Sequence, residues 1–255
     1  MALISIKNVS LSYPIYSQKS RSARQLIISR LGGSISTNDN VVVVDALRAI
    51  NLELRDGDRL GIVGHNGAGK TTLLRLLALV YEPQSGKVIV DGKVSSFVDI
   101  TLGMDPEATG WENIIFRCVF LGLTYKQAKE LTPSIADFSE LGEYLDMPVR
   151  TYSAGMYMRL AFAVTTSIHP DILIMDEMIG AGDARFFDKA TERLTSMMDR
   201  TKIVVVASHS NFTIRKFCNK VLWMDKGKIK AIGPVDEILP IFEAESTSSM
   251  NGEVK

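Results

Sequence analysis

Gly64-His65-Asn66-Gly67-Ala68-Gly69-Lys70-Thr71-Thr72 follows an apolar run, Leu60 to Val63, and opens a longer one, Leu73 to Val80. Strand, glycine-rich loop and helix in that order form the context in which a P-loop wraps a polyphosphate. Glycines let successive backbone amides turn inward, and the helix N-terminus adds its partial positive charge. On this reading His65, Asn66, Gly67, Ala68 and Gly69 line the loop and Lys70 bridges the terminal phosphates of a bound nucleotide. Thr71 places its hydroxyl on Mg²⁺, and Thr72 contacts the phosphate nearest the ribose.

A second apolar strand, Ile172-Leu173-Ile174-Met175, ends in Asp176-Glu177. Paired carboxylates at a buried strand tip have no packing use, because unpaired charge there is costly to desolvate. A metal and a water give them one: Asp176 holds Mg²⁺ through its water shell, and Glu177 polarises the water that attacks the γ-phosphate. His209 lies just past a third strand, Ile203 to Val206. A lone histidine there is more often a hydrogen-bonded structural residue, but ligands of doubly wound sheets gather at the C-terminal ends of the strands. Convergence of the loop, the acid pair and His209 at that edge is the economical reading, with His209 bracing Glu177 and holding the γ-phosphate.

Outward from these motifs the chain reads as α/β, short apolar strands alternating with helices around a largely parallel sheet. Further strands are expected at Ile4 to Val9, Ala49 to Leu54, Val88 to Val90 and Val221 to Met224. Thr109 with Glu112, and Thr124 with Gln127, have capping-box spacing, so helices should begin at Gly110 and Tyr125 within a helical subdomain of about residues 110–168. Residues 14–40 form a basic insert, with Lys19, Arg21, Arg24 and Arg30 against Asp39 alone. Its middle, Ala23 to Leu31, reads either as part of a solvated loop or as a short amphipathic helix at a lipid headgroup boundary. Residues 241–255 are small and polar and read as a disordered tail beyond a domain of residues 1–240.

The 255 residues carry 29 basic and 29 acidic side chains, so no global field draws the chain to nucleic acid or an anionic bilayer. Cys118 and Cys218 lack metal-type spacing and fit buried thiols in a reducing compartment. Met1 to Lys7 alternates like a strand and lacks a signal peptide's basic start and apolar stretch. No apolar run approaches the roughly 18 residues of a spanning helix, so any membrane crossing is expected of another chain.

Tyr152-Ser153-Ala154-Gly155-Met156, ahead of the helical run Tyr157 to Ile168, resembles the signature loop of ABC ATPases. Tyr152, Ala154 and Met156 replace the usual leucine, second glycine and glutamine, while a serine hydroxyl and a glycine amide at a helix N-terminus remain. Gly180-Ala181-Gly182-Asp183 resembles the D-loop, and Tyr13 resembles the aromatic that stacks on adenine, with Tyr16 as a second candidate. The resemblance implies a RecA-like core, an antiparallel β subdomain and a helical subdomain. It also implies a homodimer in which Ser153, Ala154, Gly155 and Met156 of one chain close over the nucleotide of the other. The Q-loop position falls on Ile100 beside Asp99, where the family has glutamine.

Leu102-Gly103, Thr109-Gly110-Trp111-Glu112-Asn113 and the motifs around Ser153 and Asp176 look like the ATPases that export O-antigen and capsular polysaccharides, the Wzt type. That likeness implies a peripheral subunit on the cytoplasmic face of the inner membrane, a separate transmembrane permease subunit and a polyprenyl-diphosphate-linked polysaccharide as cargo. It also implies a form without the C-terminal carbohydrate-binding domain of some members. In that subfamily the segment around Leu102-Gly103 and an extra N-terminal helix face the membrane partner. Export of teichoic acid or lipid, a soluble ABC ATPase working on chromosomes or ribosomes, and a small-molecule kinase are the alternatives. The soluble types carry a long coiled-coil insertion or tandem cassettes, and a kinase has no use for a signature loop.

Overall fold

Apolar and polar side chains alternate from Ile4 to Lys7 as in a strand, and a register shift between Ile6 and Val9 returns Val9 to the core. In the computed structural model, which describes residues 1–16, 35–38, 41–177 and 184–252, this stretch grows into β1 (Leu3–Tyr16). β1 pairs antiparallel with β3 (Val41–Arg55), from Leu3 opposite Arg55 to Tyr16 opposite Val41, and on its other edge with β5 (Ser85–Asp91). β2 (Ile35–Asn38) extends the sheet beyond β3. The expected strands at Ala49 to Leu54 and Val88 to Val90 are thus parts of longer ones. Both ends of the supposed insert, 14–16 and 35–38, are strand. The helix expected at Ala23 to Leu31 lies outside the described residues.

The described chain divides into two compact units. One comprises Met1–Lys93, Ile174–Glu177 and Lys202–Lys255; the other comprises Val94–Leu173 and Met178–Thr201. Besides the antiparallel sheet, the first unit holds a mixed sheet built on β4 (Arg59–Val63), which lies parallel between β8 (Ile203–Ala207) and β9 (Lys220–Asp225). β7 (Ile172–Asp176) lies beside β8, and β10 (Lys228–Pro234) closes the other edge antiparallel to β9. All five residues of β8 are buried, as its continuous apolar run demands, whereas β10 shows every second residue to solvent. Helix α1 (Lys70–Leu77) sinks Leu73, Leu74, Leu76 and Leu77 completely. Val63, Trp223 and Leu239 join Ile214 of α6 (Asn211–Phe217) in one core cluster.

Residues 241–255, expected to be disordered, are helical as far as Gly252 in α7 (Val235–Gly252). The polar composition misleads because the helix is held by specific contacts. Phe242 meets Trp223 edge to face at 5.4 Å, Arg215 pairs with Glu243 at 3.0 Å and Lys230 pairs with Glu245.

The second unit contains β6 (Val94–Ser96) and four helices: α2 (Gly110–Phe120), α3 (Tyr125–Ser139), α4 (Ala154–Thr165) and α5 (Ala184–Arg200). Both predicted capping boxes are formed. The Thr109 hydroxyl accepts from the Glu112 amide at 3.3 Å, and the Glu112 carboxylate accepts from the Thr109 amide at 2.8 Å, which holds its pKa below the usual range. Phe138, Phe162 and Phe186 form an aromatic core with centroids 5.7–6.2 Å apart.

Cys118 is buried and Cys218 half-buried; burial pushes their thiols up to about 11 and about 12. Both are therefore inert at neutral pH.

Gly110 starts α2 with no room for a side chain. A Cβ there would press into the Tyr152 hydroxyl and lie 2.8 Å from Leu145 Cδ2. Gly110→Ala should cost about 1–3 kcal/mol, the usual result of overpacking. Urea unfolding followed by Trp111 fluorescence reads the loss, and an unshifted midpoint would show that the contact yields freely.

Candidate functional site

The loop between β4 and α1 takes its shape from two glycines that nothing else can replace. Gly64 has φ 151° and Gly69 φ 104°; a Cβ on Gly64 would press into the Met224 carbonyl, and one on Gly69 would lie 2.7 Å from the Ala46 carbonyl oxygen. The loop is pinned by the Gly227 amide donating to the Ala68 carbonyl at 2.9 Å and the Ala68 amide donating to that of His65 at 3.1 Å. Lys70, at the first turn of α1, is 8% exposed, and its ammonium donates to the carbonyls of Gly64 at 2.8 Å and His65 at 3.1 Å. Burial lowers its pKa, and the nearby charges of Asp176 and Glu177 push it back up. The loop has thus folded around a cation, and phosphate oxygens can exchange with the two carbonyls.

β7 delivers the acid pair. The Thr71 hydroxyl donates to Asp176 Oδ2 at 2.6 Å, so two hard oxygen donors meet at the start of α1. Among the described residues no group of three or more His, Cys, Asp or Glu could hold a metal. Two oxygen donors with the remaining positions left to water and phosphate is the ligand set that suits Mg²⁺, which dehydrates reluctantly. Glu177 follows in left-handed backbone, φ 64°, a conformation that strains a non-glycine residue. Its amide donates to the Ala207 carbonyl at the end of β8 at 2.8 Å, which holds the turn in place. The exposed His209 Nε2 lies 3.9 Å from Glu177 Oε1. A short turn fixes His209: the Ser210 amide donates to the Ser208 hydroxyl at 3.1 Å, and Ser210 in turn caps α6 through the Thr213 amide at 3.3 Å.

Tyr13 lies beside the loop, near the side chains of Thr72 and Tyr81, and its ring meets that of Tyr81 edge on at 5.7 Å. Burial, foremost, pushes its phenol up to about 12. The Tyr16 side chain lies outside what the structure describes, as does Asp183 with the whole expected D-loop.

The signature segment belongs to the second unit. Ser153 caps α4, its hydroxyl accepting from the Met156 amide at 3.2 Å, and Tyr152 is fastened by its hydroxyl to the Tyr144 carbonyl at 2.7 Å. Gly155 is open: a Cβ there would meet nothing closer than the Ser153 hydroxyl at 3.9 Å. In the same unit, Asp99 accepts the Leu102 amide through its carbonyl at 3.0 Å, and Ile100 is buried. An apolar side chain turned into the core cannot do the work of a glutamine.

Two neighbours of the loop escaped the sequence reading. Asp225 stands 3.0 Å from His65 Nε2, while His65 Nδ1 faces the Asn66 carbonyl at 2.7 Å. The signal was available, since Val221 to Asp225 is an apolar strand ending in an acid, as Ile172 to Asp176 is. Tyr81, whose hydroxyl accepts from Arg75 Nη1 at 3.2 Å, carries no such signal. Its contact with Tyr13 joins elements distant in sequence.

Residues 47–180, which span the phosphate loop, the signature segment and the acid pair, match the ABC transporter family. The chain belongs to that family. Among its relatives, the O-antigen export system ATP-binding protein RfbE of Yersinia enterocolitica is 46% identical over 90% of this ABC transporter chain and 97% of its own length. RfbB of Myxococcus xanthus, also an O-antigen export system ATP-binding protein, is 41% identical over 77% of the chain and 45% of its own length. The teichoic acids export ATP-binding protein TagH of Listeria monocytogenes is 32% identical over 94% and 69%. In fold, the chain is similar to the ATP-binding cassette MJ0796, solved as a dimer in a post-hydrolysis state with ADP and Pi, at TM-score 0.66 and 18% identity over 91% of this chain and 98% of that one.

Proposed function

We propose that this ABC transporter chain is the ATP-hydrolysing subunit of a polysaccharide exporter, working as a homodimer beneath a separate transmembrane permease. The observation that carries the enzymatic part is the meeting of Lys70, the Thr71–Asp176 pair and Glu177 around one glycine-rich loop. Lys70 exchanges its carbonyl contacts for phosphate oxygens, and Thr71 and Asp176 hold Mg²⁺, which neutralises charge on the phosphates when bound. A Glu177 oxygen accepts a proton from the attacking water, and His209 keeps that carboxylate aimed. Ser153 and Gly155 grip the γ-phosphate of the second chain's nucleotide, so ATP joins the two protomers and its hydrolysis releases them.

A peripheral seat on the cytoplasmic face of the inner membrane is consistent with this reading: among the described residues no helix is long and apolar enough to cross a membrane. The cargo reading, a polyprenyl-diphosphate-linked polysaccharide, is supported by the O-antigen export role of RfbE, which is more similar to this chain than TagH is. Nucleic acid has no part in it. Cells lacking the protein should accumulate lipid-linked polymer inside. Fractionation of the labelled glycan tests this, and an unchanged distribution would count against the cargo.

A further inference from the structure

β1 reaches Tyr13 through a stretch where its ladder on one side runs out. Its pairing with β5 ends with Ser10 opposite Ser85, beyond a register shift that follows Lys7. Gln84, the residue just before β5, takes over. Its backbone amide donates to the Ser10 carbonyl at 3.1 Å. Its side-chain oxygen accepts from the Ser12 amide at 3.0 Å, and its side-chain nitrogen donates to the Ser12 carbonyl at 2.7 Å. The carboxamide thus exchanges both hydrogen bonds with one residue, as an opposing strand residue does in an antiparallel pair. From the other side, the Ser12 hydroxyl donates to Asp45 of β3 at 2.8 Å. Ser12 is held on both flanks, in the position next to Tyr13.

The Tyr13 side chain has a brace of its own. The ring of Tyr81 meets it at 5.7 Å between centroids and 69° between planes. A contact of that kind fixes the plane of the Tyr13 ring and occupies at most one of its two faces. Tyr81 is itself fixed: its hydroxyl accepts from Arg75 Nη1 at 3.2 Å, and the Arg75 guanidinium carbon lies 5.9 Å from its ring centre. Arg75 stands in the last turn of α1, the helix that begins with Lys70 and Thr71. Tyr81 and Gln84 therefore tie Tyr13 to the helix that carries the phosphate-binding residues. Gln84 is exposed, and exposed hydrogen bonds contribute little net stability, so a glutamine that spends both ends of its amide on one backbone residue serves orientation rather than folding.

We propose that Gln84 and Tyr81 are positioning residues for nucleotide binding, which hold Tyr13 so that its free face stacks on the base while the phosphates lie in the loop. This rests on the reading that Tyr13 is the base-stacking aromatic of this ATPase. Such preorganisation raises affinity without adding a contact to the ligand, because the aromatic side chain is ordered before the nucleotide arrives. Lys70 and Thr71 hold the triphosphate whether or not the base is stacked. The brace therefore acts on affinity for ATP and not on the hydrolytic step.

Steady-state hydrolysis by the purified full chain tests this, with inorganic tripolyphosphate as a competitive inhibitor that fills the phosphate loop without a base. Tyr13→Ala should raise the KM for ATP about 10-fold or more, the usual consequence of losing one stack between a base and an aromatic ring. Gln84→Ala and Tyr81→Leu should each raise it about 3- to 10-fold, the cost of ordering one side chain on binding. In both, kcat and the tripolyphosphate inhibition constant should stay at their wild-type values, the mark of lost base binding alone. Added to Tyr13→Ala, neither substitution should raise KM further, since an absent ring cannot be positioned. Gln84→Glu keeps the length and the acceptor but not the donor and should move KM in the same direction, which decides the matter if the alanine variant misfolds. A tripolyphosphate constant that rises in step with KM would overturn the proposal by showing that these residues shape the phosphate loop. A full effect of Gln84→Ala on top of Tyr13→Ala would overturn the brace and leave the base stack standing. So would wild-type KM values in Gln84→Ala and Tyr81→Leu beside a raised one in Tyr13→Ala. A wild-type KM in Tyr13→Ala would remove Tyr13 from the base, and the brace with it.

Discussion

Glu177→Gln lowers steady-state ATP turnover by about 10²–10⁴-fold and leaves ATP affinity within a small factor of the wild type, the result expected when a general base is removed without disturbing its surroundings. The substitution is conservative here because the backbone of residue 177 is held by its own amide bond to Ala207. The left-handed turn therefore survives, and a carboxamide fills the same space. Binding is spared because the groups that hold phosphate and metal, Lys70, Thr71 and Asp176, are untouched. Lys70 loses one of two nearby negative charges, but Asp176 remains beside it. Phosphate release and fluorescent-nucleotide titration on the same preparation measure both quantities. Turnover retained in the variant would remove Glu177 from the chemistry and leave His209 as the nearest candidate, whereas loss of affinity would mean that the acid pair serves binding.

Most of this site was legible because it is written in contiguous residues. A P-loop, an acid pair at a strand end and two capping boxes each depend on neighbours within a turn, and each formed where the spacing put it. The same locality explains the strands that were found, β4 and β8, whose apolar runs have no polar interruption. β10 was missed because an edge strand needs only one buried face, and Lys228-Ile229-Lys230 reads as solvated chain until β9 lies beside it. The helix through residues 241–252 was missed for a related reason, its anchors on Trp223 and Arg215 being distant in sequence. Asp225 and Tyr81 reach the loop only through tertiary contact. Gln84 was invisible for the same reason: beside Pro83 it reads as a turn residue, and only the fold sets its amide against the Ser12 backbone.

Gly155→Asp should abolish hydrolysis, by at least about 10²-fold, through a partner chain rather than through its own fold. The open space at Gly155, where a Cβ would meet no atom closer than 3.9 Å, predicts a folded protein with a normal melting temperature. A carboxylate there would instead face the γ-phosphate bound to the second protomer and repel it. The decisive experiment mixes this variant with Lys70→Ala. Lys70→Ala removes the ammonium that the loop is folded around, so that chain binds nucleotide weakly but keeps an intact signature segment. Gly155→Asp keeps an intact loop. If the active centre is shared, a mixed dimer owns one complete centre, loop from one chain and Ser153 with Gly155 from the other. Equal amounts should then recover roughly a quarter of wild-type activity, since half the dimers are mixed and each has one of two centres. If the centre lies within one chain, every chain in the mixture is defective and nothing is recovered. Activity that stays at the sum of the two variants would therefore reject the shared centre, and with it the release of protomers by hydrolysis that would drive export.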